Sequence, residues 1–295
     1  MDFDLTKEQL DIKKAAKEFA EGEFPEIAEE CDREEKYPSD LVKRAADLGF
    51  IGINLPEEYG GAGYGYLEKC LISEEFFRVD PGLGSVLISA TFGADMIELF
   101  GTEEQKKSYL VPVTKGEAVM GSAITEPDAG SDVSAVRTMA TKDGDGYVIN
   151  GNKMFITNGT VGAYFIVLCL TNPDMPSRHN RHSVILVECD RKGFEASKLH
   201  HKLGIRASDT AELIFKDVRV PKKNLVGEEN KGFYHIAQGA MDKAIKHVKE
   251  RVQFGKYLSS FQSIQFKIAE MATRIQAARN LVYEAAIKAD KGDLE

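Results

Sequence analysis

Tryptophan is absent from this chain of 295 residues, and its four cysteines stand far apart. Cys31, Cys70, Cys169 and Cys189 include no CxxC pair, so neither a zinc site nor a disulfide framework is indicated, and we expect reduced, buried cysteines. The sequence also lacks GxSxG, the motif that carries the nucleophile of many serine hydrolases. These absences argue against a metal-held fold, a disulfide-held fold and that class of hydrolase.

Long apolar runs and an excess of basic residues are missing as well. No stretch of about eighteen apolar residues occurs, which a membrane-spanning helix needs. The acidic start, MDFDLTKEQ, lacks the basic and then apolar order of a signal peptide, so we expect a cytoplasmic protein that does not bind membranes. The formal charge of −9 argues against a nucleic-acid partner. With 43% apolar residues, the chain is long enough for two or three compact units.

The first part of the chain has helical patterns. Thr6 and Gln9 form a capping box, which predicts that a helix begins at Thr6. Apolar residues recur at helical spacing between glycine and proline stops in four further segments, which are 39–48, 66–77, 86–100 and 103–110. We therefore interpret residues 1–117 as a helical domain.

From Val119 onward the pattern changes to short apolar or alternating runs. They predict strands at 136–141, 147–149, 153–157, 164–170, 183–188 and 212–215. Asn150 and Gly151 stand between two of these runs and predict a type I′ hairpin turn. Residues 118–230 are thus interpreted as a small β-domain.

After Pro221 the helical pattern returns. Apolar residues between Ile264 and Ala285 alternate spacings of four and three, which is typical of a helix packed along another helix in a bundle. Residues 231–295 are interpreted as part of a C-terminal helical domain.

The most informative segment is AITEPDAGSDVSA, residues 123–135. It follows an apolar run that predicts a buried strand, and Pro127 and Gly130 then break regular structure. Gly130 allows backbone N–H groups to approach an anion, while Thr125, Ser131 and Asp132 supply polar side chains. The four residues PDAG alone would be an ordinary β-turn. The whole segment favours a ligand-binding turn.

These thirteen residues resemble the first signature of the acyl-CoA dehydrogenase family, flavoenzymes that introduce an α,β double bond into a coenzyme A thioester. Six further segments are similar to the family in the same order: LPEEYGGAG (55–63), FGTEEQKKSYL (100–110), INGNKMFITNG (149–159), KLGIRASDTAELIF (202–215), DVRVP (217–221) and KERVQFGK (249–256). The resemblance implies a helical N-terminal domain, a small antiparallel β-barrel-like middle domain and a partial C-terminal helical bundle.

The resemblance also implies an FAD site. Thr125 would bond to the pyrimidine side of the flavin, Thr157 would bond near N5, and Phe155 would stack on the ring where many members carry tryptophan. Ser131, beside Gly130, would lie where the FAD diphosphate meets the acyl-CoA chain, as a substrate and cofactor contact. The backbone of Ser122, Ala123, Ile124 and Ile156 would complete the flavin edge. Taken singly, Thr157 would be assigned to a turn and Phe155 to the core.

The family similarity also concerns assembly. Arg251, Phe254 and Gln262 match positions that reach the FAD of a neighbouring subunit, and a guanidinium pairs well with a diphosphate. Taken singly, Arg251 would be assigned to a solvated helix face. The implied partners are an acyl-CoA, an electron-transferring flavoprotein and further copies of the chain, as a homotetramer.

The family's catalytic base is a glutamate, and no residue here matches it. The usual position lies beyond Glu295, and the alternative one falls where about 18 family residues are missing after His235. We therefore expect the catalytic glutamate to be missing from this chain. The alternatives are a non-catalytic remnant or fragment that binds FAD or CoA and, ranked last, an acyl-CoA oxidase.

Other features are given ordinary interpretations. Residues 82–92 are expected to line the acyl pocket, and they contain no Arg or Lys, which disfavours a free dicarboxylate. YGGAGYG (59–65) lacks the GxGxxG spacing and is interpreted as a flexible connection between helices. His179 and His182 lie in a polar stretch without acidic or cysteine partners, so we expect solvated histidines and no metal.

Overall fold

The chain folds into a helical N-terminal part followed by a mixed β-sheet. The structure, a computed structural model, describes residues 5–236 and two short strands, Val252–Gln253 and Lys256–Tyr257. The helices are α1 (Lys7–Glu23), α2 (Ala28–Arg33), α3 (Ser39–Asp47), α4 (Tyr66–Val79), α5 (Pro81–Ser89), α6 (Ala94–Phe100), α7 (Glu103–Gln105) and α8 (Val111–Thr114), with a π-helical turn at Lys106–Leu110 between the last two.

The capping box predicted for α1 is confirmed. The Thr6 hydroxyl accepts from the Gln9 N–H, and the Gln9 side chain accepts from the Thr6 N–H. The Gln9 amide also donates to Glu68 of α4 over 2.7 Å, which fixes α1 against α4. Beneath this contact the buried rings of Phe19, Phe24 and Phe76 pack together in the core of the helical part.

The single helix predicted for residues 86–100 is wrong. The chain leaves the helical conformation after Ser89 and resumes it at Ala94, with Gly93 at φ 96° where the second helix begins. The break lets this segment pair with the sheet, because the Met120 N–H donates to the Ala90 carbonyl over 3.0 Å and Thr91 forms a parallel bridge with Met120. A backbone bond to the sheet thus outweighs helix continuity here.

The sheet contains strands β1 (Met120–Ala123), β2 (Met139–Asp143), β3 (Gly146–Thr157), β4 (Tyr164–Leu170), β5 (His182–Glu188), β6 (Phe194–Lys198), β7 (Thr210–Pro221) and β8 (Leu225–Val226). Their order is β6-β7-β3-β2-β4-β5-β8, and β1 also pairs with β4. The neighbours are antiparallel except that β4 runs parallel to both β1 and β2. One face encloses a dry core that includes Ile149, Phe165 and Leu213, as expected for a barrel-like domain.

The hairpin turn predicted at Asn150 and Gly151 is wrong. Strand β3 runs without interruption through both residues, and the β2–β3 turn lies earlier, at residues 144–145. The register of β3 against β7 shifts between Ile149 and Gly151, which marks a β-bulge. The Asn150 side chain donates to the Asp217 carboxylate and accepts from the Asp217 N–H, at 3.0 and 2.9 Å. The asparagine therefore links two strands instead of turning the chain.

The helical part and the sheet share a buried interface. Leu110 and Val113 pack with Ile166 and Leu186 on the sheet face opposite the barrel interior. Fully buried Asn158 donates to the carbonyl oxygens of Ser89 and Met120, at 2.7 and 2.8 Å. A second link joins the segment after α2 to the segment after β6, because the Glu35 carboxylate accepts hydrogen bonds from the His200 ring and the His201 N–H. These bonds fix the helices relative to the strands.

Residues 59–65 are not a flexible connection. A Cβ at Gly61 would lie 2.1 Å from the carbonyl oxygen of Leu55, so the loop packs directly on backbone. The N–H groups of Gly63 and Tyr64 donate to the carbonyls of Leu55 and Ile53, at 2.9 and 3.0 Å. The close approach explains the glycines without a ligand.

Two of the expected burials of cysteine are confirmed and two are wrong. Cys31 and Cys169 are buried, while Cys70 and Cys189 are exposed, and all four thiols are free. Within residues 5–236, no helix has both the length and the apolarity needed to cross a membrane. The predicted C-terminal helix bundle lies outside the described residues.

Candidate functional site

The segment that the sequence singled out forms a tight turn at the end of β1. Glu126 and Ala129 exchange backbone hydrogen bonds of 2.8 and 3.2 Å, which leaves Pro127 and Asp128 exposed at the tip. The half-buried Thr125 lies between the strand and this turn. We call residues 125–131 the Thr125 turn.

Strand β3 approaches this turn through a second bulge. Its register against β7 shifts between Lys153 and Ile156, so Met154 and Phe155 are not paired in that ladder. The Met154 N–H donates instead to the Thr125 carbonyl over 2.9 Å. Further along, a Cβ at Gly121 would lie 2.9 Å from the Thr157 carbonyl oxygen. The two segments therefore run antiparallel, and the structure brings the Thr125 turn and the end of β3 together.

Phe155 is the unusual residue of this bulge. Its backbone is left-handed, at φ 60°, and its side chain is 65% exposed, although it lies between buried Lys153 and buried Ile156. A left-handed aromatic residue is uncommon and costs conformational energy. The assignment of Phe155 to the core is wrong, since the strain presents the ring at the surface beside the turn.

The polar groups predicted to contact a ligand remain available. The side-chain hydroxyls of Thr125, Ser131 and Thr157 form no hydrogen bond to another described residue. Gly130 and Ser131 are exposed, and a Cβ at Gly130 would meet no atom within 4 Å. The side chains of Ala123 and Ile156 are buried, at 0% and 2% exposure, so these two residues offer only backbone to a ligand.

Sequence reasoning missed a buried ion pair beneath the Thr125 turn. The Lys153 side chain is fully buried, and its Nζ lies 2.9 Å from a Glu126 carboxylate oxygen and 2.9 Å from the Ile124 carbonyl oxygen. Burial lowers the pKa of the Lys153 ammonium. The alternation that buries Tyr147 and Ile149 places Lys153 on the same inner face of β3, but lysine is rarely buried, so the residue type does not indicate this position.

The pKa of Glu126 moves in the direction expected for a satisfied carboxylate. Burial opposes the charged form, but the Lys153 ammonium and hydrogen bonds from Thr138 and Arg137 outweigh it and hold the pKa of Glu126 below its usual value. The two backbone N–H bonds are both 2.7 Å long. Both partners of the pair are therefore held by backbone as well as by each other.

An apolar cleft of about 310 Å³ lies between α6 and strands β1, β4 and β5. Two of the predicted cofactor residues, Ser122 and Ile124, line it, together with Phe92 from the segment expected to form the acyl pocket. The remaining lining residues are Gly93, Asp95, Met96, Leu99, Ile166, Leu168, Val184 and Ile236. Its size and apolar walls suit a hydrocarbon chain.

The expectation of solvated histidines is wrong for His182. This side chain is 1% exposed, its Nε2 lies 3.0 Å from the Val136 carbonyl oxygen, and its Nδ1 has no partner within the described residues. Burial lowers the pKa of His182. Half-buried His179 packs its ring 4.3 Å from that of Phe233. Among the residues that the structure describes, no cluster of His, Cys, Asp or Glu could hold a metal ion.

Three predicted cofactor residues, Arg251, Phe254 and Gln262, lie outside the described residues. The neighbouring strands β9 (Val252–Gln253) and β10 (Lys256–Tyr257) form an antiparallel pair. The described part of the candidate site consists of the Thr125 turn, β3 and the cleft.

Comparison with protein-family models assigns three segments of this chain. Residues 6–117 match the acyl-CoA dehydrogenase N-terminal domain, residues 121–218 the middle domain and residues 232–295 the C-terminal domain. The acryloyl-CoA reductase (NADH) of Anaerotignum propionicum is 42% identical over 99% of this chain and 79% of its own length. The short-chain-specific acyl-CoA dehydrogenase of Clostridium acetobutylicum is also 42% identical, over 97% and 80%.

Solved structures show the same relationship. Butyryl-CoA dehydrogenase from Megasphaera elsdenii superposes with a TM-score of 0.74 at 39% identity, covering 99% of this chain and 82% of its own. A chain from work on the electron-transferring flavoprotein of Acidaminococcus fermentans superposes with a TM-score of 0.75 at 42% identity, covering 99% of this chain and 81% of its own. A Mycobacterium smegmatis glutaryl-CoA dehydrogenase in complex with FADH2 superposes with a TM-score of 0.70 at 29% identity, covering 96% of this chain and 76% of its own.

Proposed function

Because this chain belongs to the acyl-CoA dehydrogenase family, whose members depend on FAD, we propose that it binds FAD between the Thr125 turn and the end of β3 and acts on an acyl-CoA thioester there. The proposed reaction is α,β-desaturation, with electrons passed to an electron-transferring flavoprotein. The observation that carries the proposal is the antiparallel approach of the turn and the β3 bulge, joined by the Met154–Thr125 hydrogen bond.

The residues at this approach fit a flat, polar-edged group. Phe155 offers an exposed aromatic ring on a strained backbone, which suits stacking on a ring system. The free hydroxyls of Thr125 and Thr157 lie on the two segments and can bond to heteroatoms at a ring edge. Open space at Gly130 leaves the backbone accessible to a diphosphate. When bound, the flavin supplies the electron sink that accepts a hydride from the β carbon.

The apolar cleft beside the turn supports an acyl substrate. Ser122 and Ile124, two residues of the proposed flavin edge, line the cleft, so a chain lying in it would pass next to the turn. Ser131 is exposed and free to contact the coenzyme A portion. Ile166, Leu168 and Val184 give the cleft a buried apolar side, which favours a hydrocarbon tail.

The remaining features of the proposal come from the resemblance. Arg251, Phe254 and Gln262 are proposed to reach the FAD of a neighbouring subunit in a homotetramer. A cytoplasmic location belongs to the same proposal. Proton abstraction from the α carbon needs a base, and none of the residues that the structure describes is proposed for that role, so FAD binding and turnover are measured separately.

The experiment is an anaerobic titration of the purified full chain. The visible flavin absorbance is recorded first, and butyryl-, octanoyl- and palmitoyl-CoA are then added in turn. We expect bound FAD, with bleaching of the flavin band by at least one thioester if a base acts, and bound FAD without bleaching if the glutamate is missing. A chain that retains no FAD would contradict the proposed function. Peroxide formed on readmission of air would identify an oxidase.

A further inference from the structure

The buried ammonium of Lys153 lies directly behind the Thr125 turn. Its Nζ is 2.9 Å from the carbonyl oxygen of Ile124, the carbonyl of the peptide bond that leads into Thr125. The side chain has 0% exposure, so water does not screen this charge. The peptide that is proposed to edge the flavin therefore has the Lys153 ammonium on its inner side, and the paired Glu126 carboxylate opposes the loss of charge that burial favours.

The counter-charge is placed differently. Glu126 pairs with Lys153 over 2.9 Å, but its carboxylate also accepts the backbone N–H groups of Arg137 and Thr138. The contact to the Ile124 carbonyl is made by the ammonium and not by the carboxylate. The pair thus has an oriented dipole, with its positive end against the Ile124–Thr125 peptide. Fully buried Cys169 and buried His182 are the other titratable side chains of this cluster, and burial raises the pKa of the Cys169 thiol.

A purely structural role does not explain these charges well. Removing two charges from water costs several kcal/mol per ion, and apolar residues of similar volume often serve equally well or better. Cys169, which belongs to the apolar core of the sheet, interacts with the ammonium. A fixed charge at this depth acts on whatever lies on the far side of the Ile124–Thr125 peptide.

We propose that Lys153 is a positioning residue for the flavin: through the Ile124–Thr125 peptide it favours the reduced cofactor over the oxidised one, and Glu126 moderates the effect. The inference rests on the proposed function. On reduction, a flavin takes up two electrons and, near neutral pH, fewer than two protons, so it gains negative charge. A nearby positive charge stabilises the charged form, which raises the reduction potential.

The test compares two variants of the full chain loaded with FAD, Lys153→Met and Glu126→Gln. The readouts are the two-electron reduction potential of bound FAD, the dissociation constant of oxidised FAD and the thermal unfolding midpoint. Lys153→Met is expected to weaken binding of reduced relative to oxidised FAD about tenfold, which is a potential lower by about 30 mV for two electrons. Glu126→Gln is expected to shift the potential in the opposite direction.

Opposite signs distinguish electrostatics from loosened structure, because loosening the turn would disturb both variants alike. The matched controls are Lys142→Met and Glu229→Gln, which break a surface pair of the same residue types and the same 2.9 Å separation. We expect no change of potential in either control. If Lys153→Met does not fold, Glu126→Gln decides alone: a raised potential supports the inference, and an unchanged or lowered one overturns it. Bound FAD with equal potentials in all variants overturns the inference only, whereas a wild-type chain without FAD overturns the proposed function with it.

Discussion

The backbone N–H of Met154 donates to the carbonyl oxygen of Thr125 over 2.9 Å, although the two residues belong to segments separated by most of β2 and β3. The bond exists because the β3 bulge removes Met154 from its ladder with β7. It places the turn beside the segment of β3 that contains Phe155 and Thr157. This one relationship brings residues that are far apart in the chain into direct contact.

The exposed ring of Phe155 is expected to serve the ligand and not the fold. Phe155→Ala should weaken FAD binding about two- to tenfold, the value of one aromatic stacking contact, and leave the free energy of unfolding of the FAD-free chain almost unchanged. Phe155→Trp should bind FAD at least as tightly as the wild type. Fluorescence titration with FAD measures both. Phe77→Ala, which truncates a 41% exposed ring on α4, is the control, and equal losses at Phe77 and Phe155 would argue against stacking.

Asn158 is expected to be the main polar link between the helices and the sheet. Its amide donates to two backbone carbonyls from full burial, and its backbone is left-handed at φ 64°. Asn158→Ala should therefore destabilise the chain by about 2–3 kcal/mol in denaturant unfolding. Asn158→Gly also loses the two hydrogen bonds but tolerates the left-handed φ. The difference in stability between Asn158→Ala and Asn158→Gly therefore measures the backbone strain.

A surface asparagine provides the comparison. Asn152 is exposed and donates to Glu212 over 3.0 Å, so Asn152→Ala should cost less than about 0.5 kcal/mol. If Asn158→Ala cost as little as Asn152→Ala, the two buried carbonyls would have found other donors and the proposed link would be wrong.

His182 is expected to make the fold sensitive to mild acid. Burial places its pKa below the ordinary value of 6.5 in the folded chain, so the unfolded chain binds more protons and the stability is lost as the pH falls below about 6.5 toward the folded pKa. His182→Gln keeps a donor for the Val136 carbonyl without a titrating group. The free energy of unfolding should fall less in this variant than in the wild type between about pH 7.5 and about pH 5.5.

The control is His201→Gln. His201 is exposed and bonds to Glu35 through its backbone N–H, not through its ring. An equal loss of stability in the wild type and in His182→Gln over this interval would show that the buried imidazole does not carry the pH dependence.

Gly130 is expected to matter for the ligand alone. A Cβ there meets no protein atom within 4 Å, so Gly130→Ala should leave the unfolding midpoint unchanged. The same methyl group would lie where a diphosphate approaches the backbone, and FAD affinity should fall. Gly204→Ala, at another glycine with open space around it, should change neither quantity. Unchanged FAD affinity in Gly130→Ala would place the diphosphate elsewhere.

The regular elements were predictable where local signals agree with tertiary packing. The capping box at Thr6 and Gln9 fixes the start of α1, and the apolar runs of β4 and β5 appear as strands. Local rules fail where a long-range bond decides. Asn150 and Gly151 are typical turn residues, but β3 continues through both, and the Asn150 side chain bonds to Asp217 of β7. The 86–100 helix breaks because Met120 binds the Ala90 carbonyl.

The sequence identifies the surface residues of the candidate site but not the buried groups beneath them. Family resemblance indicates Thr125, Phe155 and Thr157, and the structure brings their segments together. The alternation of β3 places Lys153 on the same face as Tyr147 and Ile149, but the local sequence does not reveal that Glu126 of the turn is brought within 2.9 Å to pair with it. The burial of His182 likewise follows from its place on β5 against the Val136 carbonyl, which a polar stretch of sequence does not reveal.

The double variant Thr125→Val, Thr157→Val decides whether a flavin lies between the Thr125 turn and the end of β3. Both hydroxyls are free of other described partners, so their removal should leave thermal stability unchanged. We expect the wild-type chain and Thr141→Val, at an exposed threonine of β2, to bind FAD equally and the double variant to bind it at least about tenfold more weakly. Equal FAD affinity in all three proteins would contradict this placement of the flavin.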